Sequence, residues 1–261
     1  MRALGHFLKS NAPWLTAGGL LTFGSSFGQT YFISVFAGEI RAEFGLSHGE
    51  WGGIYALGTL ASAALMLTVG GLVDGYRTRS LAVLNLAIFA CVCAAMALNP
   101  SATLLVAVIF GLRFCGQGMM SHLALVSVGR WFAAQRGRAI SIVSMGFSLA
   151  EAVMPVTFVL LTGWLGWRGA WGIAALVLLA YIPIFLVLLR RERSPRGAAE
   201  ADSSAGMLGL HWTRSMALKH WLFWTCAPGL LAQPIFGTAY FFQQVHMVEA
   251  KGWTLAGFAG L

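Results

Sequence analysis

The chain has 261 residues, of which 58% are hydrophobic and only 10% are charged. A soluble globular domain carries about 25% charged residues, so this composition excludes an ordinary soluble protein. The net charge is +8, but the basic residues lie between apolar runs rather than among exposed aromatic residues, which argues against nucleic-acid binding.

Apolar stretches that are long enough to cross a bilayer recur along the chain. A helix of about 20 residues, rising about 1.5 Å per residue, covers a hydrocarbon layer about 30 Å thick. We therefore predict an all-α polytopic membrane protein. The predicted spans are 13–36, 51–73, 80–98, 102–126, 139–163, 169–189 and 220–245.

The spans divide the chain into two unequal parts. The first six form two triplets of nearly equal length and opposite orientation, which is typical of inverted three-helix repeats in transporters. We predict a six-helix bundle over 1–190, a linker loop over 191–219 and the start of a second bundle over 220–261. An eighth apolar stretch begins at Trp253 and the sequence ends before it could cross, so we expect a fragment.

The positions of the basic residues predict the orientation of the spans. Of the 17 Lys and Arg residues, 13 fall in loops on the side of the N-terminus. Three lie on the other side, namely Arg41, Arg168 and Lys251, and Arg113 lies inside a span. Because cytoplasmic loops carry the excess of Lys and Arg, we predict a cytoplasmic N-terminus.

Four motifs follow one another in an order that resembles the major facilitator superfamily. The run GGLVDGYRTR over 70–79 is similar to the signature G-x-L-a-D-r-x-G-r-k between the second and third helices of that family. RFCGQG over 113–118 resembles its fourth-helix R-x-x-Q-G motif, with Gln-Gly one residue later. RWFAAQRGRA over 130–139 is similar to the R-W-F-x-x-x-R-G-x-A run of many bacterial members, and 146–155 resembles the fifth-helix glycine and proline motif.

The resemblance implies a transporter of twelve spans in two six-helix halves around a central site, located in the bacterial inner membrane. This chain then corresponds to the first half, the linking loop and the seventh helix. It also implies that the first, fourth and seventh helices line the cavity. The candidate substrate contacts on these helices are Gln29, Arg113, Gln117, Gln233 and Tyr240.

Arg113 and Glu151 fall at the same predicted depth on successive spans. An arginine at the membrane centre costs at least about 2.5 kcal/mol, so it seldom occurs without a partner or a wet cavity. We predict that the two residues form an ion pair or a pair bridged by substrate, with Glu151 in proton coupling. The alternative is a buried bridge that only fixes helix packing. His122 is nine residues beyond Arg113, which places it on the opposite helical face as a packing residue.

Asp74, Arg79 and Arg130 are candidates for a charge network at the cytoplasmic ends of the spans. The resemblance implies that such a network gates the cytoplasmic side, whereas the alternative reading is that the arginines only set orientation. The histidines and cysteines show no metal-binding spacing, and no phosphate-binding G-x-x-x-x-G-K-[ST] loop occurs. We therefore predict no metal, no cofactor and no direct ATP coupling.

These observations favour a secondary transporter rather than an enzyme. We predict that it moves a small solute by alternating access, and that the solute is a carboxylate or another organic anion moved with protons. A proton-coupled exporter of hydrophobic compounds is the first alternative, and a seven-helix receptor or sensor is an alternative of another class. The expected partners are the solute, protons and the lipid bilayer, and the expected assembly is a monomer.

Overall fold

The computed structural model describes residues 2–191 and 212–254. The described residues form helices joined by short turns, with no strand among them, which confirms the all-α class. The α-helices are α1 (Arg2–Gly24), α2 (Thr30–Ile33), α3 (Ala37–Phe44), α4 (His48–Val69), α5 (Leu72–Gly75), α6 (Thr78–Ala97), α7 (Ala102–Leu112), α8 (Ser121–Trp131), α9 (Arg136–Leu188), α10 (Arg214–Lys219), α11 (Trp221–Phe242) and α12 (Gln244–Lys251). Three short 3₁₀ turns (Ser25–Gly28, Ser34–Phe36 and Ala133–Gln135) and a π-helix (Arg113–Met120) connect some of them.

Four helical runs in the described part of the chain are long and apolar enough to cross a membrane. They are His48–Gly75, Thr78–Ala97, Ala102–Trp131 and Arg136–Leu188. The last run has 53 residues, or about 80 Å of helix, which is more than twice the thickness of a hydrocarbon layer. Gly166 interrupts it with φ 69° and ψ 168°, a conformation that favours glycine. The break separates the spans predicted over 139–163 and 169–189.

The first predicted span, 13–36, is not one continuous helix. α1 ends at Gly24, a 3₁₀ turn follows, and Gln29 is extended with φ −83° and ψ 153°. The Ser25 hydroxyl donates to the Thr22 carbonyl, so a side chain competes for the backbone of the last turn. Composition alone does not separate such a broken segment from a regular helix, because both are apolar.

An aromatic cluster holds the broken segment against α9. The ring centroid of Phe32 lies 4.8 Å from that of Phe158 and 5.3 Å from that of Trp171, both in edge-to-face geometry. Phe27 contacts Phe32 and Phe158 in the same way. Phe27, Phe32 and Trp171 are fully buried. Packing of this kind fixes the position of the residues between Phe27 and Phe32, which contribute to the site described below.

Arg168 ties three helices together at the end of the bundle opposite the N-terminus, which we call the opposite end. Its Nη2 donates to Glu43 Oε1 at 2.6 Å and to the Asn99 carbonyl at 2.6 Å, and its Nη1 donates to the Ala97 carbonyl at 2.9 Å. The indole N–H of Trp167 donates to the other carboxylate oxygen of Glu43 at 2.7 Å. The hydrogen bond from Arg168 lowers the pKa of Glu43 below its usual value.

α11 and α12 contact the broken first segment at the same opposite end. The Ser34 hydroxyl donates to the Phe241 carbonyl at 2.7 Å, and the Gln244 amide donates to the Tyr31 carbonyl at 2.9 Å and to the Ser34 hydroxyl at 2.7 Å. Gln244 is buried. Most of the predicted linker 191–219, and the eighth stretch beyond Thr254, lie outside the described residues.

We predict that Arg168→Lys lowers the free energy of unfolding by about 1 kcal/mol or more, because an ammonium group cannot serve the Glu43 carboxylate and the Ala97 and Asn99 carbonyls together. Glu43→Gln is expected to cost less, since the Ala97 and Asn99 carbonyls keep their donor. The measurement is thermal unfolding of the purified protein in detergent. Equal losses for both variants would contradict this account.

The same pair predicts a pH dependence. The pKa of Glu43 is lower in the folded state than its usual value of 4.5. The interaction with Arg168 therefore stabilises the fold fully above pH 4.5, and this stabilisation is lost as the pH falls through the lowered pKa. The stability difference between the wild type and Glu43→Gln should therefore be largest at neutral pH and vanish in acid. A difference that grows as the pH falls below 4.5 would contradict the prediction.

Candidate functional site

Arg113 is buried between the broken first segment and α4, and only 4% of the residue is exposed. Its Nη1 donates to the Gly28 carbonyl at 3.0 Å and to the Thr30 hydroxyl at 3.1 Å. The guanidinium carbon lies 5.5 Å from the centre of the Tyr55 ring, within the range of a cation–π contact. Neutral groups on two neighbouring segments thus stabilise the charge of Arg113.

The break in the first segment provides these acceptors. In a continuous helix the Gly28 carbonyl would accept from the residue four positions on, but the N–H of Phe32 donates to Gln29 instead. The Gly28 carbonyl is therefore available to Arg113. The Tyr55 hydroxyl also donates to the Thr30 hydroxyl oxygen, at 2.9 Å, so Thr30 joins Arg113 and Tyr55 in one network.

Arg113 begins the π-helix over 113–120, and this helix type changes which side chains share a face. A π-helix closes its hydrogen bonds over five residues instead of four and so turns less per residue. His122 consequently lines the same cavity as Arg113, and its Nε2 lies 2.9 Å from the Gly70 carbonyl. The prediction that His122 faces the opposite side assumed a regular α-helix and is wrong.

The π-helix also allows the fourth span to approach the broken segment closely. A β-carbon built on Gly116 would lie 2.6 Å from the Gly28 α-carbon, which is too close for any side chain. Gly28, the second glycine of a G-x-x-x-G sequence over 24–28, is therefore a close-packing site of the kind that small residues form in membrane helices. This contact places the Gly28 carbonyl within reach of Arg113.

Arg113 lines a cavity of about 590 Å³ between α4 and the fourth span. We call it the arginine cavity. Four polar atoms around it are buried without a hydrogen-bond partner among the described residues. They are Arg113 Nε, Thr59 Oγ1, Gln117 Oε1 and Ser121 Oγ. Buried polar atoms are normally hydrogen-bonded, so this set marks a place where a polar ligand can be held.

A second cavity of about 550 Å³ adjoins the first, and we call it the central cavity. Its lining comes from the broken segment, the fourth span, α9 and α11, so both parts of the chain contribute. Gln117 and Ser121 line both cavities and lie between them. The side chains that matter below are Gln29, Gln117, Phe147, Glu151, Pro234 and Phe241.

The expected direct ion pair between Arg113 and Glu151 does not form in this conformation. Among the described residues, Arg130 pairs with Asp74 and Arg168 pairs with Glu43, and neither Arg113 nor Glu151 takes part in these ion pairs. Arg113 instead turns towards Gly28 and Thr30, whereas Glu151 is exposed in the central cavity. The prediction of a pair rested on matching depth along two helices, and depth does not fix the direction in which each side chain points.

A comparison with known families gives a match that spans most of the chain. The family described as Major Facilitator Superfamily matches residues 18–261. The chain belongs to the major facilitator superfamily. No individual curated protein matches it. The match confirms the resemblance seen in the four sequence motifs and the membrane-bundle fold, and it makes the protein a membrane transporter of some solute. It also speaks against the receptor alternative, and members of this family are generally not enzymes.

The structure brings together part of the candidate set. Gln29, Gln117 and Glu151 line the central cavity, and Arg113 lines the adjoining one. Tyr240 lies on a half-exposed face of α11 and is not among the lining residues of either cavity, because Pro234, Gly237, Thr238 and Phe241 face inward there. The Gln233 backbone belongs to α11, but its side chain lies outside the described part of the structure.

Two of the three candidate gate residues are in contact at the N-terminal end of the bundle. Arg130 forms an ion pair with Asp74, and its Nη1 also donates to the Val73 carbonyl at 2.9 Å. Arg79 lies half-buried in the first turn of α6. Both members of the ion pair belong to the first six spans, so in this conformation the bridge joins α5 to α8.

Thr30 is a site residue that no sequence pattern predicted. Threonine is common in apolar runs, so its presence there indicates no role. Thr30 gains its role from the break at Gln29, which brings the Thr30 hydroxyl to Arg113 and Tyr55. The RFCGQG motif contained a signal for the π-helix, because its Gln-Gly comes one residue later than in the R-x-x-Q-G motif of the family. A π-helix accommodates one additional residue in a helical turn.

We predict that Gly116→Ala lowers the free energy of unfolding by about 1 to 3 kcal/mol, because the new methyl group would overlap Gly28 and separate the two segments. Gly19→Ala is the matched control: it lies within α1 and its added carbon would meet nothing within 4 Å. The control should be neutral or slightly stabilising. Equal stability of both variants in thermal unfolding would contradict the close contact.

Proposed function

We propose that this protein is a secondary transporter that moves a small carboxylate or other organic anion by alternating access, with protons as the coupling ion. The observation that carries the proposal is the arginine cavity, where the Nε atom of the buried Arg113 guanidinium and three further polar atoms lack hydrogen-bond partners around one space. Binding sites for small molecules combine a largely apolar wall with a few converging polar groups of this kind.

The donor set suits an anion. Arg113 has its Nη1 engaged by Gly28 and Thr30, which leaves Nε towards the cavity. The hydroxyls of Thr59 and Ser121 can donate to the same ligand. A planar guanidinium binds a carboxylate with charge-assisted hydrogen bonds, and a site shielded from water strengthens them. Gln117 can serve either as donor or acceptor at the junction with the central cavity.

Transport requires that the two parts of the chain move relative to each other around the site. At the opposite end, Gln244 of α12 bonds to Tyr31 and Ser34 of the first segment, so the two parts are in contact there. The excess of basic residues supports placing the N-terminal end of the bundle in the cytoplasm. In our proposal this conformation is therefore closed towards the outside, and breaking the Gln244 contacts accompanies the change to the outward-facing state.

Glu151 is our candidate for the proton-carrying residue. It is a carboxyl group within a membrane span and lines the central cavity beside Gln29 and Gln117. Ionisable residues in such positions mark ion and proton paths in transporters. Protonation of Glu151 would remove a negative charge next to the route of an anionic solute and so couple the two movements.

A second candidate function is the export of hydrophobic compounds coupled to protons. Its support is the apolar part of the central cavity, where Phe147, Pro234 and Phe241 line the wall. Aromatic and aliphatic walls bind apolar solutes through buried area rather than through charge. In that case Glu151 would keep its role, whereas Arg113 would stabilise the fold only.

The first test is uptake of a panel of small mono- and dicarboxylates into vesicles that contain the full-length protein. We predict that Arg113→Lys raises the apparent KM at least about tenfold, which corresponds to about 1.4 kcal/mol, because lysine keeps the charge but not the fork of donors. Ser121→Ala and Thr59→Val should weaken uptake less. Arg77→Lys, at an exposed position of a loop, is the matched control.

Thermal unfolding is used to check that Arg113→Lys and Ser121→Ala are folded. If both folded variants take up carboxylates as the wild type does, the arginine cavity does not lie on the substrate path. If the same variants export a lipophilic cation dye normally while carboxylates are not transported, the second candidate function replaces the first.

For Glu151→Gln we expect loss of uptake driven by an imposed proton gradient, whereas exchange of labelled against unlabelled carboxylate continues. The reason is that the amide cannot take up or release the coupled proton. Glu39→Gln, outside both cavities, is the control. Gradient-driven accumulation by Glu151→Gln at the wild-type rate would contradict the assignment.

A further inference from the structure

Three side chains with metal-binding chemistry meet at the opposite end of the bundle, away from both cavities. They are His48, His246 and Glu249, and one ligand atom from each lies within 4.8 Å of the others. All three side chains are exposed. His48 opens α4, within the first six spans, whereas His246 and Glu249 belong to α12, which follows the seventh. The cluster therefore spans the two parts of the chain.

We propose that these three residues form a binding site for a divalent transition-metal ion of the zinc type, and that the bound ion holds the opposite end of the transporter closed. Two imidazoles and one carboxylate are a ligand set that Zn²⁺ accepts, with a further position left for water. Imidazole ligands favour such an ion over Mg²⁺ or Ca²⁺, which prefer oxygen ligands.

The fold brings the three ligand side chains close to one another. His246 and Glu249 are three residues apart in α12, so they share one helical face. The imidazole rings of His48 and His246 have centroids 4.9 Å apart in edge-to-face geometry. His48 is positioned by the turn before it, where Ser47 and Glu50 form a capping box that fixes the start of α4.

Only a small adjustment separates this arrangement from a closed site. In a tetrahedral zinc site with bonds of about 2.0 to 2.1 Å, neighbouring ligand atoms lie roughly 3.4 Å apart. All three side chains are exposed, and in the proposed site their rotation closes the remaining gap.

The site lies where it can affect the conformational equilibrium. Gln244, two residues before His246, makes the buried contacts to Tyr31 and Ser34 that join α12 to the first segment. An ion that bridges His48 to His246 and Glu249 adds a second tie across the same junction. Because the three ligands would separate when this end opens, the ion binds the closed form preferentially and shifts the population towards it.

The test of the site is isothermal titration of the purified full-length protein with ZnCl₂, with MgCl₂ as the comparison ion. We expect one saturable Zn²⁺ site, and at least about tenfold weaker binding in His48→Ala, His246→Ala and Glu249→Gln. His6→Ala, an exposed histidine at the N-terminal end, is the matched control and should bind as the wild type does. Cys226→Ser removes an exposed thiol that could bind zinc elsewhere.

The test of the clamp is hydrogen exchange of the backbone amides over 244–251, followed by mass spectrometry with and without ZnCl₂. Slower exchange in the wild type, absent in His246→Ala, is the expected result. Zinc binding that is undetectable, or equally strong in the three variants, would overturn the site. Binding that leaves exchange unchanged would overturn the clamp. Neither readout depends on which solute the protein transports.

Discussion

The Arg113 guanidinium lies deep among the helices, and a carbonyl, a hydroxyl and an aromatic ring meet its charge in place of a carboxylate. A charge at this depth is costly unless its hydrogen bonds are satisfied, so the surrounding backbone has to supply acceptors. The break at Gln29 does so by freeing the Gly28 carbonyl. The break, the glycine contact and the π-helix are thus parts of one arrangement around a single charged side chain.

That arrangement leaves Glu151 available for a separate role. Because neutral groups accept hydrogen bonds from Arg113 Nη1, the carboxylate does not have to stay beside the guanidinium and can lie exposed in the central cavity. A carboxyl group that is not locked in an ion pair can change its protonation state at lower cost. In the proposed mechanism, the fixed positive charge serves substrate binding and the unpaired acid serves coupling.

Much of the fold could be predicted from the sequence, because apolar length, basic loops and four family motifs each depend on local composition. The break at Gly166, for example, falls between two spans that were separated by length alone. The site was less predictable. The π-helix rotates His122 to the side of Arg113, and Thr30 gains its role only from a break in an otherwise apolar run. His48 and His246 are distant in sequence, so the fold alone brings them together.

The central claim is that Thr30 and its neighbours, rather than Glu151, balance the charge of Arg113. A double-mutant cycle in thermal unfolding tests it most directly, with Arg113→Met combined in turn with Thr30→Val and with Glu151→Gln. We expect a coupling energy of about 1 kcal/mol or more for Arg113 with Thr30, and additive effects within about 0.5 kcal/mol for Arg113 with Glu151. Additivity with Thr30 together with strong coupling to Glu151 would contradict the claim.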